Sequence, residues 1–447
     1  MTVPVAAARY TLRKHAATPY ITEAAQRGAR VVRCGIGDPT AFRGIKPFPP
    51  FVEALRKAHA DHFGYAPSTG RPELREAIRE FFIRHGRTAP VNVFLGAGIS
   101  GIGNNLFRVI FEKGDGVAIP RFSYILYHFH AAMNGLNVQS VRLNSFGVVD
   151  VSHLERRIDA STRMVVITTP GNPIGTCVPP ETFRDIIRIV NDKERQFNHP
   201  IFLVADVIYE PFRRNGPPLD PLIFAQEYGR IGPTLLLDSL SKVKIVAPGA
   251  RIGWAAVEWP EGNFPEERKE FLESLERLLL PSLGEVPTPM QYALLATLQG
   301  ILANRLLEVQ YMEFTNAHIR EVHARLDAML AGLAERGMEF PAYYYHNLRD
   351  PSRGVNTDHV TNSLYLNFGM RSDENTAEDP FAARLARHGL EHGTVIASTP
   401  LASFVPEDQT AGLEHFTRIT ALCDPENQAF FFQALDHFLE DNPGARP

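Results

Sequence analysis

Residues 234–251 read TLLLDSLSKVKIVAPGAR, an apolar run that leads into hydroxyls, a lysine and an arginine. The apolar part is typical of a buried strand. A lysine just after a strand is ordinarily solvated, but Lys242 is accompanied by Ser239, Ser241 and Arg251. A lysine acts as a nucleophile only in its neutral form, which desolvation or nearby positive charge favours. Arg251 could supply that charge, or bind a phosphate through its paired donors.

Strand-like runs and helix-period segments alternate from about residue 50 onward. The predicted strands are short and rich in branched side chains, and they cover residues 91–95, 117–119, 163–168, 201–205 and 234–237. Apolar residues at helical spacing cover residues 51–63, 72–86, 102–111, 123–134 and 180–190. This alternation predicts an α/β fold in which helices flank a mostly parallel sheet.

The predicted domain organisation has a large domain and a smaller α+β domain. Residues 50–330 form the large domain, and both ends of the chain, residues 1–49 and 331–447, form the small one. The stretch Ile301–Glu335 is amphipathic with few helix breakers, which predicts one long helix leading out of the large domain.

The composition limits the function classes. The chain has 447 residues, 44% of them hydrophobic, and 46 basic against 50 acidic residues give a net charge of −4. Without a basic excess, nucleic acid is not expected as a partner. The three cysteines are too scattered for a disulfide framework or a metal site, and no apolar run reaches the roughly 18 residues of a membrane span. The N-terminus lacks a signal-peptide core, so we expect a cytoplasmic protein without a metal centre.

The segment 96–101 reads GAGISG and fits the dinucleotide-binding pattern G-x-G-x-x-G. An NAD site also needs an acidic residue at the end of the next strand, but that strand ends in Pro120-Arg121. An NAD-dependent dehydrogenase therefore stays a distant alternative. Whether or not the segment binds NAD, free N–H groups at a helix start form an anion site.

Two further polar side chains follow predicted strands. Asn172 lies in the turn TPGNPIG at 169–175, and Asp206 directly follows the predicted strand at 201–205. Taken alone, the first is a turn residue and the second a cap. Because parallel sheets bind ligands at their carboxyl edge, we expect both side chains to face one crevice.

Taken together and in order, these motifs resemble the class I/II, fold-type I aminotransferases, which use pyridoxal 5′-phosphate (PLP). The matching elements are GIGDP at 35–39, YAPSTG at 65–70 with Leu74-Arg75, GISG at 98–101, Pro120 to Tyr127, Asn172, Asp206, Tyr209, Ser239, Lys242, Arg251, and Arg418-Ile419. Each motif is weak alone, but this many in the right order are specific.

The resemblance implies a role for each residue that would surround the cofactor ring. Lys242 would hold PLP covalently and, once displaced by the substrate amine, carry the α-proton. Asp206 would pair with the ring nitrogen and keep the ring an electron sink. Asn172 and Tyr209 would donate to the phenolic oxygen, and Tyr124 would stack on the ring.

The resemblance also implies a phosphate site and a dimer. The phosphate would rest on the helix start at Ile99, Ser100 and Gly101, together with Ser239 and Arg251. Tyr65 would reach it from a neighbouring subunit, so that a homodimer shares its active sites.

Substrate binding is implied in the same way. Arg418 would take the substrate carboxylate through two parallel hydrogen bonds, with the Gly37 backbone and the Asn172 amide nearby. The resemblance implies a PLP-dependent aminotransferase that acts on an α-amino acid and a 2-oxo acid.

Three departures from the family pattern bear on this interpretation. The spacing from Lys242 to Arg251 is one residue longer than expected, so the loop must bulge. Leu401 replaces a glycine near the expected substrate side, and Val207 replaces a common glutamate.

Other activities stay open at this point. A PLP-dependent lyase, replacement, cyclisation or oxidation enzyme would share the same cofactor site. A transcription regulator with an aminotransferase-like domain would need a DNA-binding domain, for which the motifs starting at Gly35 leave no room.

Overall fold

The computed structural model describes residues 17–41, 44–85, 90, 92–282, 286–345, 360–405, 409–420 and 423–442. Residues 1–16, on which the expectation of no signal peptide rested, lie outside the described residues. So does residue 91, the first of a predicted strand.

Seven strands of the described residues form a central sheet. They are β2 (Asn92–Gly96), β3 (Gly116–Pro120), β4 (Asn137–Val141), β5 (Thr162–Thr168), β6 (Phe202–Asp206), β7 (Thr234–Ser239) and β8 (Gly253–Glu258). Their order across the sheet is β2-β8-β7-β6-β5-β3-β4. The strands from β7 to β4 run parallel, whereas β8 is antiparallel to both β7 and β2. The prediction of an α/β fold with a mostly parallel sheet is confirmed.

The inner parallel strands β3, β5, β6 and β7 bury side chains on both faces, which explains their nearly continuous apolar sequences. In β5, Val166 belongs to one apolar cluster and its neighbours Val165 and Ile167 belong to another on the opposite face. Successive side chains of a strand point to opposite faces, so two layers of helices are needed to cover the sheet.

Helices cover both faces of the sheet and continue into the C-terminal part. They are α1 (Thr18–Arg27), α2 (Pro49–Asp61), α3 (Pro72–Arg84), α4 (Gly98–Ile110), α5 (Ile125–Met133), α6 (Val151–Arg157), α7 (Pro180–Phe197), α8 (Pro221–Glu227), α9 (Pro265–Ser282), α10 (Thr288–Ala303), α11 (Arg305–Glu335), α12 (Phe381–Glu391) and α13 (Pro425–Asp441). No helix among the described residues is long and apolar enough to cross a membrane.

The prediction of one helix over Ile301–Glu335 is wrong at its start. Helix α10 continues to Ala303, and α11 begins only at Arg305. Asn304 separates them in an extended conformation, and its side chain accepts hydrogen bonds from the N–H groups of Leu306 and Leu307. The helical stretch is thus interrupted by an asparagine that caps the next helix, although the sequence contains no glycine or proline at this point.

Two small sheets lie outside the central one. Strand β1 (Arg30–Arg33) pairs in parallel with β10 (Thr394–Ala397), which brings both ends of the chain together. Strands β11 (Thr399–Pro400), β12 (Phe416–Thr420) and β9 (Tyr365–Gly369) form an antiparallel sheet. The boundaries at residues 49 and 330 stay a prediction.

Several chain segments lie at the carboxyl edge of the central sheet. Asp206 ends β6 and lies beside Leu237 of β7. Gly253 begins β8 and pairs with both Ser239 at the end of β7 and Gly96 at the end of β2. The start of α4 and the segment before β8 therefore reach the same edge as the ends of the parallel strands.

The NAD alternative is inconsistent with this topology. The segment 96–101 follows β2, an edge strand whose neighbour β8 is antiparallel. A dinucleotide fingerprint needs a strand within a parallel βαβ unit. The glycine pattern here marks a tight turn into a helix.

Candidate active site

A pocket of about 210 Å³ opens at the carboxyl edge of the sheet. Most of the residues predicted for the cofactor and the substrate line it: Gly37, Ile99, Ser100, Tyr124, Asn172, Asp206, Tyr209, Ser239, Lys242, Arg251 and Arg418. The structure thus brings together segments that are far apart in the sequence. Gly101 lies just behind the lining, and Tyr65 lies elsewhere.

One end of the pocket is built to receive an anion. The first four N–H groups of an α-helix have no partner within the helix, and in α4 these belong to Gly98, Ile99, Ser100 and Gly101. The preceding Ala97 has no polar side chain that could cap them. Their partial positive charge favours a phosphate or carboxylate at this position.

Arg251 adds a full positive charge at the same end. Its Nη2 donates to the carbonyl of Ala97 at 2.9 Å, which places the guanidinium against the helix start. Val246 and Arg251, in the segment that follows Lys242, both adopt left-handed backbone angles, with φ of 58° and 52°. The bulge expected from the additional residue between Lys242 and Arg251 stays a prediction.

The pocket is also lined by the buried carboxylate of Asp206. Tyr127 donates a hydrogen bond to its Oδ2 at 2.9 Å, and the Ile208 amide donates to its Oδ1 at 3.3 Å. Burial raises the pKa of Asp206 to about 7, because the charged form loses its hydration there. A cationic ligand group beside it would favour the carboxylate again.

Lys242 lines the same pocket, on the turn that follows β7. Its Nζ donates a hydrogen bond to the carbonyl of Gly37, from the segment after β1. The ring of His318, on α11, contacts the Lys242 carbonyl at 2.9 Å and fixes the backbone that carries this side chain.

Arg418 is a buried cation that lines the same pocket. Only 4% of the residue is exposed, and burial lowers the pKa of its guanidinium. The ring of Tyr365 lies 4.2 Å from its Cζ and that of Phe404 lies 4.6 Å away. Among the described residues no carboxylate pairs with it; the ionisable groups acting on it are tyrosines and Cys34. A buried charge without a counter-ion is costly, so this guanidinium is suited to an anionic ligand.

Asn172 is held in one orientation by its neighbour. Arg418 donates from Nη1 to Asn172 Oδ1 at 2.9 Å. Since a guanidinium only donates, the Asn172 oxygen must face it, and the Nδ2 group can donate elsewhere. The structure therefore leaves a hydrogen-bond donor at the position predicted to meet a phenolic oxygen.

Tyr209 is paired with a residue to which no sequence motif points. Its hydroxyl lies 3.0 Å from the hydroxyl of Tyr365, on β9 of the small antiparallel sheet. A Cβ atom at Gly37 would overlap the Tyr365 hydroxyl, so only glycine fits there. Tyr365 thus contacts three parts of the site: Tyr209, Arg418 and the segment after β1.

Tyr127 is the other functional residue for which no role was predicted. It lies at the end of the matched motif that starts at Pro120, so a signal existed. For Tyr365 the sequence shows only a short strand of the C-terminal part, with no motif.

Tyr65 is not brought into the pocket within one chain. The residue is 99% exposed and the neighbouring Phe63 is 73% exposed. The carbonyl of Gly64 accepts a hydrogen bond from the Thr288 hydroxyl at 2.6 Å, which ties the loop to α10.

Leu401, which departs from the family pattern, does not line the pocket. Its side chain is fully buried in a cluster with Ile125, Phe404 and Phe416. It affects the site through Phe404, whose ring contacts Arg418. Val207 is likewise buried in the core.

The donor set fits PLP. A helix start with Arg251 suits a phosphate, a buried carboxylate at Asp206 suits a cationic ring nitrogen, and Lys242 in the same pocket suits an aldehyde. The available donor of Asn172 and the hydroxyl of Tyr209 suit a phenolic oxygen. Each group of the cofactor thus has a partner of complementary chemistry in this pocket.

Comparison with known proteins gives the same assignment. The family profile "Aminotransferase class I and II" matches residues 29–355. Glutamate-pyruvate aminotransferase AlaA of Haemophilus influenzae is 28% identical over 62% of this chain and 65% of that protein. Aspartate/prephenate aminotransferase of Thermus thermophilus is 28% identical over 67% of this chain and 72% of its own length.

Solved structures show the same fold. Alanine aminotransferase of Pyrococcus furiosus superimposes with a TM-score of 0.78 at 21% identity, over 98% of this chain and 100% of that one. In sequence, the chain spans only about three fifths of the first curated relatives, for example 59% of the probable aminotransferase TAT2 of Arabidopsis thaliana. The family profile covers well over half of the chain, and the chain therefore belongs to the class I and II aminotransferases, a family that depends on PLP.

Proposed function

We propose that this protein is a PLP-dependent aminotransferase that moves the amino group of an α-amino acid to a 2-oxo acid. The observation that carries the proposal is the buried Arg418, which has no carboxylate partner among the described residues and shares its pocket with Lys242 and Asp206. A carboxylate-binding cation beside a lysine and an anion site suits an amino acid substrate and a PLP cofactor.

When bound, PLP supplies an aldehyde and an electron-withdrawing ring that stabilises negative charge at the substrate α-carbon. Arg418 would bind the substrate carboxylate and fix the orientation of the α-carbon. Lys242 would take the proton from Cα. Asp206, in its charged form, would pair with the positive charge at the ring nitrogen.

The other residues orient the reacting groups. Asn172 and Tyr209 would donate to the phenolic oxygen, and Tyr124 lines the same pocket. Lys242 would hold the proton taken from Cα and deliver it again, and the site of that delivery separates amino transfer from elimination, replacement or oxidation.

A single-turnover reaction without any 2-oxo acid tests the proposal. PLP-loaded enzyme that is mixed with an amino acid substrate should release one equivalent of 2-oxo acid per active site. The reaction should then stop until an acceptor is added. Lys242→Ala should release none. Repeated turnover without an acceptor would overturn amino transfer, while it would leave the cofactor site intact.

The relatives suggest which substrates to test first. Their names contain glutamate and pyruvate in one case, and aspartate and prephenate in the other. We propose to start from glutamate, alanine, aspartate and the aromatic amino acids, each with 2-oxoglutarate or pyruvate as acceptor.

We also propose a homodimer in which Tyr65 completes the partner subunit's phosphate site. The exposure of Tyr65 and Phe63 on one anchored loop supports an interface, because large aromatic residues rarely remain in solvent together. A cytoplasmic location likewise stays a proposal, supported by three free cysteines.

A further inference from the structure

Three histidines and one aspartate converge on the surface of the C-terminal part, away from the pocket. His388 lies in α12 and His392 caps the end of that helix, four residues later. His437 and Asp441 lie in the last two turns of α13, also four residues apart. Residues at this spacing share one face of a helix, so each helix presents two potential ligands.

The two pairs face each other at short distances. His388 Nε2 lies 2.9 Å from Asp441 Oδ2, and His392 Nε2 lies 3.4 Å from the same oxygen. The potential ligand atoms of these three residues all lie within 4.8 Å of one another. With bonds of about 2.1 Å, the ligands of a tetrahedral zinc ion are about 3.4 Å apart, so an ion could enter with small side-chain shifts.

The rings are already arranged side by side. His388 and His392 are stacked with centroids 4.2 Å apart and planes 16° apart. The ring of His437 lies 5.6 Å from that of His392, within reach of a fourth position. A water molecule could take that position instead.

The cluster is accessible from solvent but anchored in the fold. The side chain of His388 is 13% exposed, whereas those of His392 and Asp441 are 39% and 57% exposed. The His388 ring also packs edge-on against Phe438 at 5.3 Å. His388 is thus held against the fold, whereas His392 and Asp441 are open to solvent, so an ion can reach the site from solvent.

We propose that His388, His392 and Asp441 bind a divalent transition-metal ion of the zinc type, with His437 or water as the fourth ligand. Imidazole nitrogens with one carboxylate are a donor set that zinc favours. The ion joins α12 to α13 and so fastens the C-terminal helix. It takes no part in the reaction at the pocket.

One feature of His388 limits the affinity. A metal-bound histidine ordinarily donates its other ring N–H to an acceptor, but His388 Nδ1 is buried and has no hydrogen-bond partner among the described residues. We therefore expect dissociation constants in the micromolar range, weaker than those of dedicated structural zinc sites.

The test uses the full-length, PLP-loaded enzyme without a polyhistidine tag. At equilibrium dialysis against about 100 micromolar ZnCl₂, we expect about one zinc per chain above the zinc of the dialysis buffer, measured by elemental analysis. Co²⁺ should give the visible absorption of a tetrahedral complex, with nitrogen and oxygen ligands. Asp441→Asn and His392→Ala should each weaken zinc binding at least about tenfold, because each removes one ligand.

Controls separate this site from other histidines and from misfolding. His59→Ala removes an exposed histidine of α2 and should bind zinc like the unchanged enzyme. Zinc should raise the melting temperature of the unchanged enzyme and of His59→Ala, and a higher zinc concentration should be needed for the same rise in Asp441→Asn. Equal zinc dissociation constants for Asp441→Asn and the unchanged enzyme would overturn the proposal. So would a lack of zinc uptake by the unchanged enzyme at about 100 micromolar ZnCl₂, a concentration well above the expected dissociation constant.

Discussion

Tyr127 donates a hydrogen bond from its hydroxyl to Asp206 Oδ2 across 2.9 Å, and both side chains are buried. The bond favours the charged carboxylate, whereas burial disfavours it, and burial is the larger effect. Asp206 is therefore a carboxyl group that gains a full charge most readily when a cation binds beside it. This couples cofactor binding to the protonation of the site.

The first prediction concerns the pH dependence of stability in the cofactor-free enzyme. The pKa of Asp206 is about 7 in the fold against 3.8 in the unfolded chain. As the pH rises between these values, the unfolded state has released the proton and the folded state still holds it, so stability falls with rising pH. The free energy of unfolding keeps falling until the pH passes 7.

The Asp206→Asn variant removes this dependence. Its free energy of unfolding, relative to that of the unchanged protein, should increase by about 3 kcal/mol from pH 5 to pH 8, at about 1.36 kcal/mol per pKa unit. Urea unfolding of both cofactor-free proteins at the two pH values measures it. A difference that is the same at pH 5 and pH 8 would show that Asp206 does not titrate in this range.

The second prediction concerns Arg418 and the substrate carboxylate. Arg418→Lys keeps the charge but loses the planar fork, so KM for an amino acid should rise by about 10 to 100-fold, with a smaller change in kcat. An amine without a carboxylate should react equally slowly with both proteins. If KM for the amino acid stays unchanged, Arg418 does not bind the carboxylate.

The third prediction separates two functions of Tyr365. Tyr365→Phe keeps the ring beside Arg418 but removes the hydroxyl that meets Tyr209 at 3.0 Å. We expect KM to change less than about threefold, whereas the absorption spectrum of the bound cofactor and its pH dependence shift, because one hydrogen bond near the phenolic oxygen is lost. Tyr209→Phe is the matched variant and should shift the spectrum further. A large rise in KM with an unchanged spectrum would assign Tyr365 to the substrate alone.

Much of this site could be predicted because its residues follow strands in order. Asp206 and Lys242 come after apolar runs, and parallel strands place such residues at one edge. Strand β8 was missed because its sequence, GWAAVE at 253–258, follows a Pro-Gly turn and is antiparallel to its neighbours. Tyr365 could not be found, since only the tertiary fold carries β9 to the pocket.

The metal-ligand cluster was missed for the same reason. Its two residue pairs, His388 with His392 and His437 with Asp441, lie about fifty residues apart in the sequence, and neither His-x-x-x-His nor His-x-x-x-Asp is specific alone. Only the packing of α12 against α13 brings the four side chains together. Sequence reasoning is thus strong where ligands share a sheet edge and weak where helices pack.

The last prediction tests whether active sites are shared between subunits. Lys242→Ala lacks the reacting amine, and Tyr65→Ala lacks the exposed hydroxyl that we propose to complete the partner subunit's phosphate site. If each variant is inactive alone, a hybrid dimer still contains one site with both residues intact. Random exchange in an equal mixture makes half of the dimers hybrids, so activity should rise to about one quarter of that of the unchanged enzyme. If Tyr65 acts within its own chain, every site in the mixture lacks one of the two residues and no activity returns.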